Sequence, residues 1–579
     1  MTWVLLYGGN QPAYGTKRLS SGLDERSGNC HTVALQCKTR FPVNLTGGAI
    51  VLSSSASATL RGIDGQRVRV EVHVVTGVLP SFNVVGLPDA SCREARDRVR
   101  AALNSNAFKW PIGARVTVNL APSQVRKEGS GLDLAIALGV IAASTLDEKQ
   151  AQRAAADGEQ KQPEYQRLPA HLLDGHAFVA ELGLDGSLRS VPGILSRVAA
   201  VDDLTVVVAP GAAHEATLAG AEQVRCGGSL RQVVDCLKGI DAWPEHPPAA
   251  SSSDRVAVPD LADVAGHPFA RQALEIAAAG GHNLLLVGPP GAGKSMLARR
   301  LPGILPDMEQ HVALVASRIH SVAGLGLPAD SLLRVPPFRA PHHSASMTAL
   351  IGGGTSKLRP GEISCAHGGV LFLDELGEFA PGALDAMRQP LEDGEVHISR
   401  AHASVNYPAG FCLVAAMNPC PCGLLGSVEP CRCNDQARQR YMRRLSGPLL
   451  DRIDLRVHMQ RPSANQLMSS EKGESSQAVR GRVLASRDKA RARGFSSNSL
   501  IPAGRLDELA PISDAARSML KGALADGRLS ARGLARVRMV ARTIADLADE
   551  DMVSESSIAG ALALRARPVL FDSLGATHV

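Results

Sequence analysis

The sequence predicts an α/β protein built around a parallel-sheet, phosphate-binding core, and three observations carry that reading. From residue 67 onward, strand-like runs alternate with helix-like ones, as in "RVRVEVHVV", "DASCREARDRVRAALNS" and "RVTVNL". The stretch "HNLLLVGPPGAGKS" joins a buried apolar run to a helix start through a Gly-rich turn. Two more continuous apolar runs, "GGVLFLDE" and "GFCLVAAMN", follow it. Runs that are apolar without alternation are the pattern of strands covered on both faces.

In chain order, residues 1–58 show no sustained period and end in the Ser/Ala-rich "VLSSSASATL", so they are expected to be a disordered or non-native extension. Residues 59–241 form the first α/β domain, closing with the apolar helix "LDLAIALGVIAAS" and the strand "LTVVVAP". Inside it, the polar "TLDEKQAQRAAADGEQKQPEYQ" reads as an exposed insertion. Residues 242–258 contain "AWPEHPPAASSSDR", whose Pro, Ser and Ala content is that of a linker. Residues 259–462 hold the parallel-sheet core. Residues 463–579 are polar and then helical, and "RGLARVRMVARTIADLA" places apolar residues at helical spacing, predicting a C-terminal helical lid.

A chain of 579 residues with 45% hydrophobic content has ample material for several packed cores. The start, "MTWVLLYGGNQPAYGTKRL", has no basic region ahead of its apolar run and no small-residue cleavage site after it. No apolar stretch reaches the length of a membrane span. The chain is therefore expected to be cytoplasmic, with its eleven cysteines serving as thiols or metal ligands rather than disulfides. A net charge of +6 is compatible with a polyanionic partner without pointing to one.

The turn Gly288, Pro289, Pro290, Gly291, Ala292, Gly293, Lys294, Ser295 fits the phosphate-binding loop. In that loop backbone amides at a helix N-terminus cradle phosphates, the lysine reaches the outer phosphates and the hydroxyl binds magnesium. Asp374 and Glu375 end the run "VLFLDE", the place for one carboxylate that holds magnesium and another that polarises the attacking water. ATP and Mg2+ are the cofactors this predicts. Asn418 ends the next apolar run, where its amide can orient the water, while Arg452 in "LSGPLLDRID" and Arg532 in "LSARGLARVR" supply further cations.

Four cysteines, Cys420, Cys422, Cys431 and Cys433, crowd the segment after Asn418. Pro419, Pro421, Gly423 and Pro430 exclude a regular helix there, so a small apolar core role is a poor explanation. Two C-x-C pairs can close on one tetrahedral zinc, with free thiols and an iron–sulfur cluster as alternatives. The stretch "EDGEVHISRAHASVNYPAG" reads as a hairpin between two core strands, and it places Arg400 and His402 near its tip. Arginine there can pair with phosphates of DNA, and packing against a neighbouring subunit is the alternative. His342 and His343 are adjacent and so lack metal-ligand helix spacing; a loop or subunit-contact role fits them better.

The order of these motifs resembles the AAA+ ATPases, specifically the magnesium-chelatase-like branch that includes the ComM (YifB) family. The resemblance spans about residues 60–570, through "FNVVGLPDA", "RKEGSGLDLAIAL", "NLLLVGPPGAGKS", "FRAPHHSAS", "RPGEISCAHGGVLFLDEL", "RQPLEDGEVHISRA" and "LSGPLLDRIDL". It implies a Lon-protease-like first domain, sensor 1 at Asn418, an arginine finger at Arg452 acting on a neighbour, and sensor 2 at Arg532. It also implies a homo-hexameric DNA motor, acting on single-stranded or branched DNA, that promotes branch migration in natural transformation. A magnesium-chelatase-type motor subunit is the alternative. ATP-dependent proteolysis ranks lower, because the Ser and Lys positions of a Lon-type pair fall on Gly131 and Leu195, leaving Ser130 and Lys127 as a shifted pair.

Overall fold

The computed structural model describes residues 50–76, 78–144, 167–245, 258–328, 331–354, 358–400, 403–426, 429–463 and 473–565. The expected insertion at 145–166, most of the linker and His402 lie outside the described residues, as do residues 1–49.

The first domain is a seven-stranded mixed sheet in the spatial order Ser81–Val85, Ala114–Ala121, Asp64–Thr76, Ile50–Arg61, His176–Val179, Thr205–Val208, Gln223–Cys226. The strand Ile50–Arg61 corrects the expectation of an irregular extension through residue 58, since it pairs antiparallel with Asp64–Thr76 from Ile50↔Val75 to Arg61↔Asp64. Its buried face consists of Ser53, Ser55, Ser57 and Thr59, so a hydropathy pattern does not see it. Those hydroxyls are buried at little cost because they are bonded: Ser53 Oγ donates to Gly139 O at 2.7 Å and Ser57 Oγ to Phe178 O at 2.6 Å. The helix Asp133–Ala143 that they meet is buried along its whole length, as a helix apolar on all sides must be.

The core sheet has five parallel strands in the order Phe338–Arg339, Val370–Leu373, Cys412–Met417, Leu284–Val287, Leu455–His458. Leu284–Val287 comes first in sequence yet lies between the fourth and fifth strands. Every residue of Leu284–Val287 and Val370–Leu373 is buried. One face of the sheet shares an apolar cluster with the C-terminal helices, Leu284, Leu286 and Val457 joining Val537, Val540 and Ile558. The lid therefore folds onto the sheet. The helix Ala531–Leu547 starts at Ser530, whose Oγ accepts from the Gly533 amide at 3.1 Å.

The expected hairpin forms from Glu395–Arg400 and Ala403–Pro408, with Arg400↔Ala403 as the pair nearest its tip. The first domain docks beside it. Ile63, in the turn between the first two strands, joins the apolar cluster that holds Val396, Ile398 and Tyr407. A Cβ added at Gly62 would lie 2.4 Å from Val405 Cγ1, so the turn approaches the hairpin too closely for any other residue. The Gly193 amide also donates to Ser321 O of the core at 3.0 Å. Among the described residues no helix is long and apolar enough to cross a membrane.

Candidate nucleotide and metal sites

The loop 288–293 leaves the C-terminal end of Leu284–Val287 and runs into the helix Lys294–Ala298. Gly291 and Gly293 have φ of 78° and 80°, values that favour glycine. At Gly288 the constraint is space, because a Cβ there would lie 2.4 Å from Met459 O.

Four of the expected site residues, Lys294, Ser295, Asp374 and Asn418, come together here. Lys294 Nζ donates to Gly288 O at 2.7 Å, Pro289 O at 3.0 Å and Asn418 Oδ1 at 3.1 Å. Burial pushes the Lys294 ammonium below its usual range, with Asp374 and Glu375 opposing the shift. Ser295 Oγ donates to Asp374 Oδ2 at 2.5 Å. A hydroxyl and a carboxylate at that separation are hard oxygen donors, and they fit Mg2+, which takes few protein ligands alongside phosphate oxygens.

Glu375 occupies a left-handed backbone position, φ 52°, its amide donating to Asp374 Oδ1 at 2.9 Å. Its carboxylate Oε2 lies 3.0 Å from His343 Nδ1. His343 is thus a neighbour of the candidate water-activating group, a placement that the reading of the His pair as a loop feature missed. The signal was present in "FRAPHHSAS", but nothing in local spacing ties that loop to a strand end about thirty residues later.

Arg452 and Arg532 lie elsewhere. Both reach Glu392, in the short helix Pro390–Asp393: Arg452 Nη2 bonds Oε2, and Arg532 Nη2 is 3.7 Å from Oε1. Arg452 is buried and also donates to Pro448 O at 2.8 Å, whereas Arg532 is exposed. Arg452 precedes the strand Leu455–His458, which pairs parallel with Leu284–Val287 from Leu284↔Leu455 to Val287↔His458. The two arginines therefore occupy the edge where the strands begin, and Lys294 the edge where they end. Four residues of strand alone separate the edges by roughly 13 Å. Glu392 lies within "RQPLEDGEVHISRA", but no spacing in that stretch ties it to the two arginines.

The four cysteines converge. All four Sγ atoms lie within 4.8 Å of one another, with Cys420 to Cys422 at 3.4 Å and Cys431 3.6 Å from each of them. The amide of Cys422 donates to Cys433 Sγ at 3.4 Å. These separations exceed a disulfide and suit thiolates around one tetrahedral ion. The Leu424 amide holds the Cys422 thiol down at about 6, while burial pushes Cys420 up to about 12. Between Pro421 and Asn434, Gly423 alone among the described residues is buried, so apolar packing does little to hold this segment. It lies against the loop 288–293: a Cβ at Gly423 would be 2.6 Å from Pro290 Cδ.

The shifted protease pair does not form. Lys127 is buried and donates to Pro122 O, while Ser130 Oγ donates to Glu181 Oε2. Neither group activates the other.

Comparison with known proteins agrees with the architecture. Residues 70–161 match the model described as subunit ChlI of Mg-chelatase, residues 260–467 the magnesium chelatase subunit ChlI, and residues 473–565 its C-terminal part. An uncharacterised protein of Mycobacterium tuberculosis (strain ATCC 25618 / H37Rv) is 42% identical over 523 residues, covering 89% of this chain and 99% of its own. YifB of Escherichia coli (strain K12), itself uncharacterised, is 40% identical over 511 residues, 87% of this chain and 95% of its own. Competence protein ComM of Haemophilus influenzae (strain ATCC 51907 / DSM 11121 / KW20 / Rd) is 40% identical over 521 residues, 89% and 97% of the two chains. With a Lon-like domain leading a parallel-sheet core and its helical lid, the chain belongs to the ComM/YifB family of magnesium-chelatase-like AAA+ proteins.

Proposed function

We propose that this protein is an ATP-hydrolysing AAA+ motor that assembles as a homo-hexamer in the cytoplasm and remodels DNA, promoting branch migration during natural transformation and recombination. The observation that carries the ATPase reading is the convergence of Lys294, Ser295, Asp374 and Asn418 at one strand edge. In this reading the loop 288–295 holds the phosphates of ATP, Ser295 and Asp374 hold Mg2+, Asn418 orients the attacking water and Glu375 polarises it. His343 acts on the orientation of Glu375.

The positions of the two arginines support the ring reading. They lie at the strand edge opposite their own chain's loop 288–295, and in this reading Arg452 serves as finger and Arg532 as sensor 2 toward a neighbouring subunit. Glu392 holds both until that neighbour's phosphates compete for them.

DNA is supported by the hairpin with Arg400 near its tip, and by the similarity to a competence protein. Forked DNA is expected to raise turnover severalfold in wild type. Arg400→Ala should weaken that response and flatten its salt dependence by roughly one phosphate contact, leaving basal turnover nearly unchanged. A response unchanged by Arg400→Ala would return the hairpin to subunit packing. Stimulation by a porphyrin with chelatase partners, and none by DNA, would favour the chelatase-type reading instead.

The cysteine cluster is assigned to structural Zn2+. Its role is to fix the segment between Asn418 and the helix Gly447–Asp451 against Pro290, and the thiolates supply the binding energy that apolar packing does not. Protein purified without chelator should contain about one zinc per chain, lost in the Cys420→Ser/Cys422→Ser double variant. Nucleotide affinity should fall with it, and a metal-free wild type of full activity would remove the assignment.

A further inference from the structure

The Lon-like domain has lost the protease pair, yet it contributes most of one wall to a cleft of about 580 Å³ whose other wall belongs to the ATPase core. Arg61 and Arg126 line it from the Lon-like side and Arg359 from the core side, with Ser404 of the hairpin between. All three arginines are exposed, and their side chains have no hydrogen-bond or ion-pair partner among the described residues. Among the described lining residues the carboxylate belongs to Glu128, so cations outnumber anions there.

Carboxylate partners are within reach of exposed arginines elsewhere among the described residues, as in Arg96–Asp97, Arg480–Asp307 and Arg482–Glu275. What sets Arg61, Arg126 and Arg359 apart is that the three gather around one concavity, a surface suited to an anion supplied from outside. The basic surface also continues outward. Gly353 pairs with Arg359, and a Cβ at Gly353 would lie 3.6 Å from Arg400 Nη2, so the Arg400 guanidinium adjoins the Arg359 strand. A track of cations therefore runs from the hairpin end past Arg359 into the cleft. A single phosphate needs one cluster, whereas a track suits a phosphodiester backbone, whose charges repeat along its length. The cleft walls are tied together by the Gly62 approach to Val405 and the Gly193–Ser321 bond, so its shape is fixed before anything enters.

We propose that the cleft between the Lon-like domain and the ATPase core is a DNA-backbone site, with Arg61, Arg126 and Arg359 as its phosphate contacts. This rests on the DNA reading above, and it leaves the non-proteolytic domain to hold the strand that the hairpin engages. No base edge is read, so binding is independent of sequence and strongly salt-dependent.

The test is fluorescence anisotropy of full-length protein with labelled forked DNA across a salt series. Arg61→Ala/Arg126→Ala should bind at least about tenfold more weakly at moderate salt, its log–log salt slope reduced by roughly 1.5 to 2, with unchanged ATP turnover in the absence of DNA. Arg61→Lys/Arg126→Lys should restore most of the affinity, since the contact is with charge rather than a packed guanidinium. Unchanged affinity and slope in the alanine variant, with a loss in Arg400→Ala, overturns the cleft site and leaves the DNA reading standing. A wild type that binds no DNA overturns both. Equal losses in the alanine and lysine variants would show that the arginines support the fold, and would also overturn the site.

Discussion

Replacing Lys294 with alanine is expected to lower ATP turnover at least about 100-fold: in the proposed site its buried ammonium is the cation for the outer phosphates, and water cannot substitute for that charge. Part of the loss arises before chemistry. Lys294 also bridges Gly288 O, Pro289 O and Asn418 Oδ1, so its removal unties the phosphate loop from the strand that ends at Asn418. Nucleotide binding should therefore weaken along with turnover. Glu375→Gln separates the two effects. It keeps the shape of the site and removes the charge that polarises water, so ATP should still bind and assembled rings should accumulate while hydrolysis stops. Fluorescent-nucleotide titration, phosphate release and size-exclusion chromatography check the pair. Wild-type turnover by Glu375→Gln would overturn its assignment.

The second large effect is expected at Arg452. An arginine that stabilises transition-state charge across a subunit boundary is worth roughly 10³–10⁵ in turnover, so Arg452→Ala should bind ATP normally and hydrolyse it very poorly. Arg452 is buried and paired with Glu392, so its loss also takes from Glu392 its hydrogen-bonded cation. A thermal melt accompanies the assay to separate lost function from lost fold. Mixing gives the decisive comparison. Arg452→Ala subunits keep an intact phosphate loop, and Lys294→Ala subunits keep an intact finger. Rings containing both should regain activity at those boundaries where an intact loop meets an intact finger. No recovery in mixed rings that demonstrably assemble would remove the role across the boundary.

The parts of this protein whose chemistry is local were legible in the chain alone. The Gly-rich turn 288–295 between strand and helix was one, because its glycines, lysine and hydroxyl are contiguous in the chain, and the apolar runs around it have no stable place but a buried parallel sheet. The cysteine cluster was legible for the same reason, since four thiols within fourteen residues are already close in the chain. The serine-rich strand Ile50–Arg61 was not, because its burial depends on carbonyls of Gly139 and Phe178 far along the sequence, and hydroxyls satisfied at a distance look like surface from the chain alone. Glu392 and His343 were hidden likewise: each acquires its partner when strand order folds distant loops onto one sheet edge. Strand order also put Arg452 and Lys294 on opposite edges, which no spacing in the sequence encodes. What tertiary structure settled, in each case, was which polar groups meet, because a polar contact needs two partners and the sequence presents them one at a time.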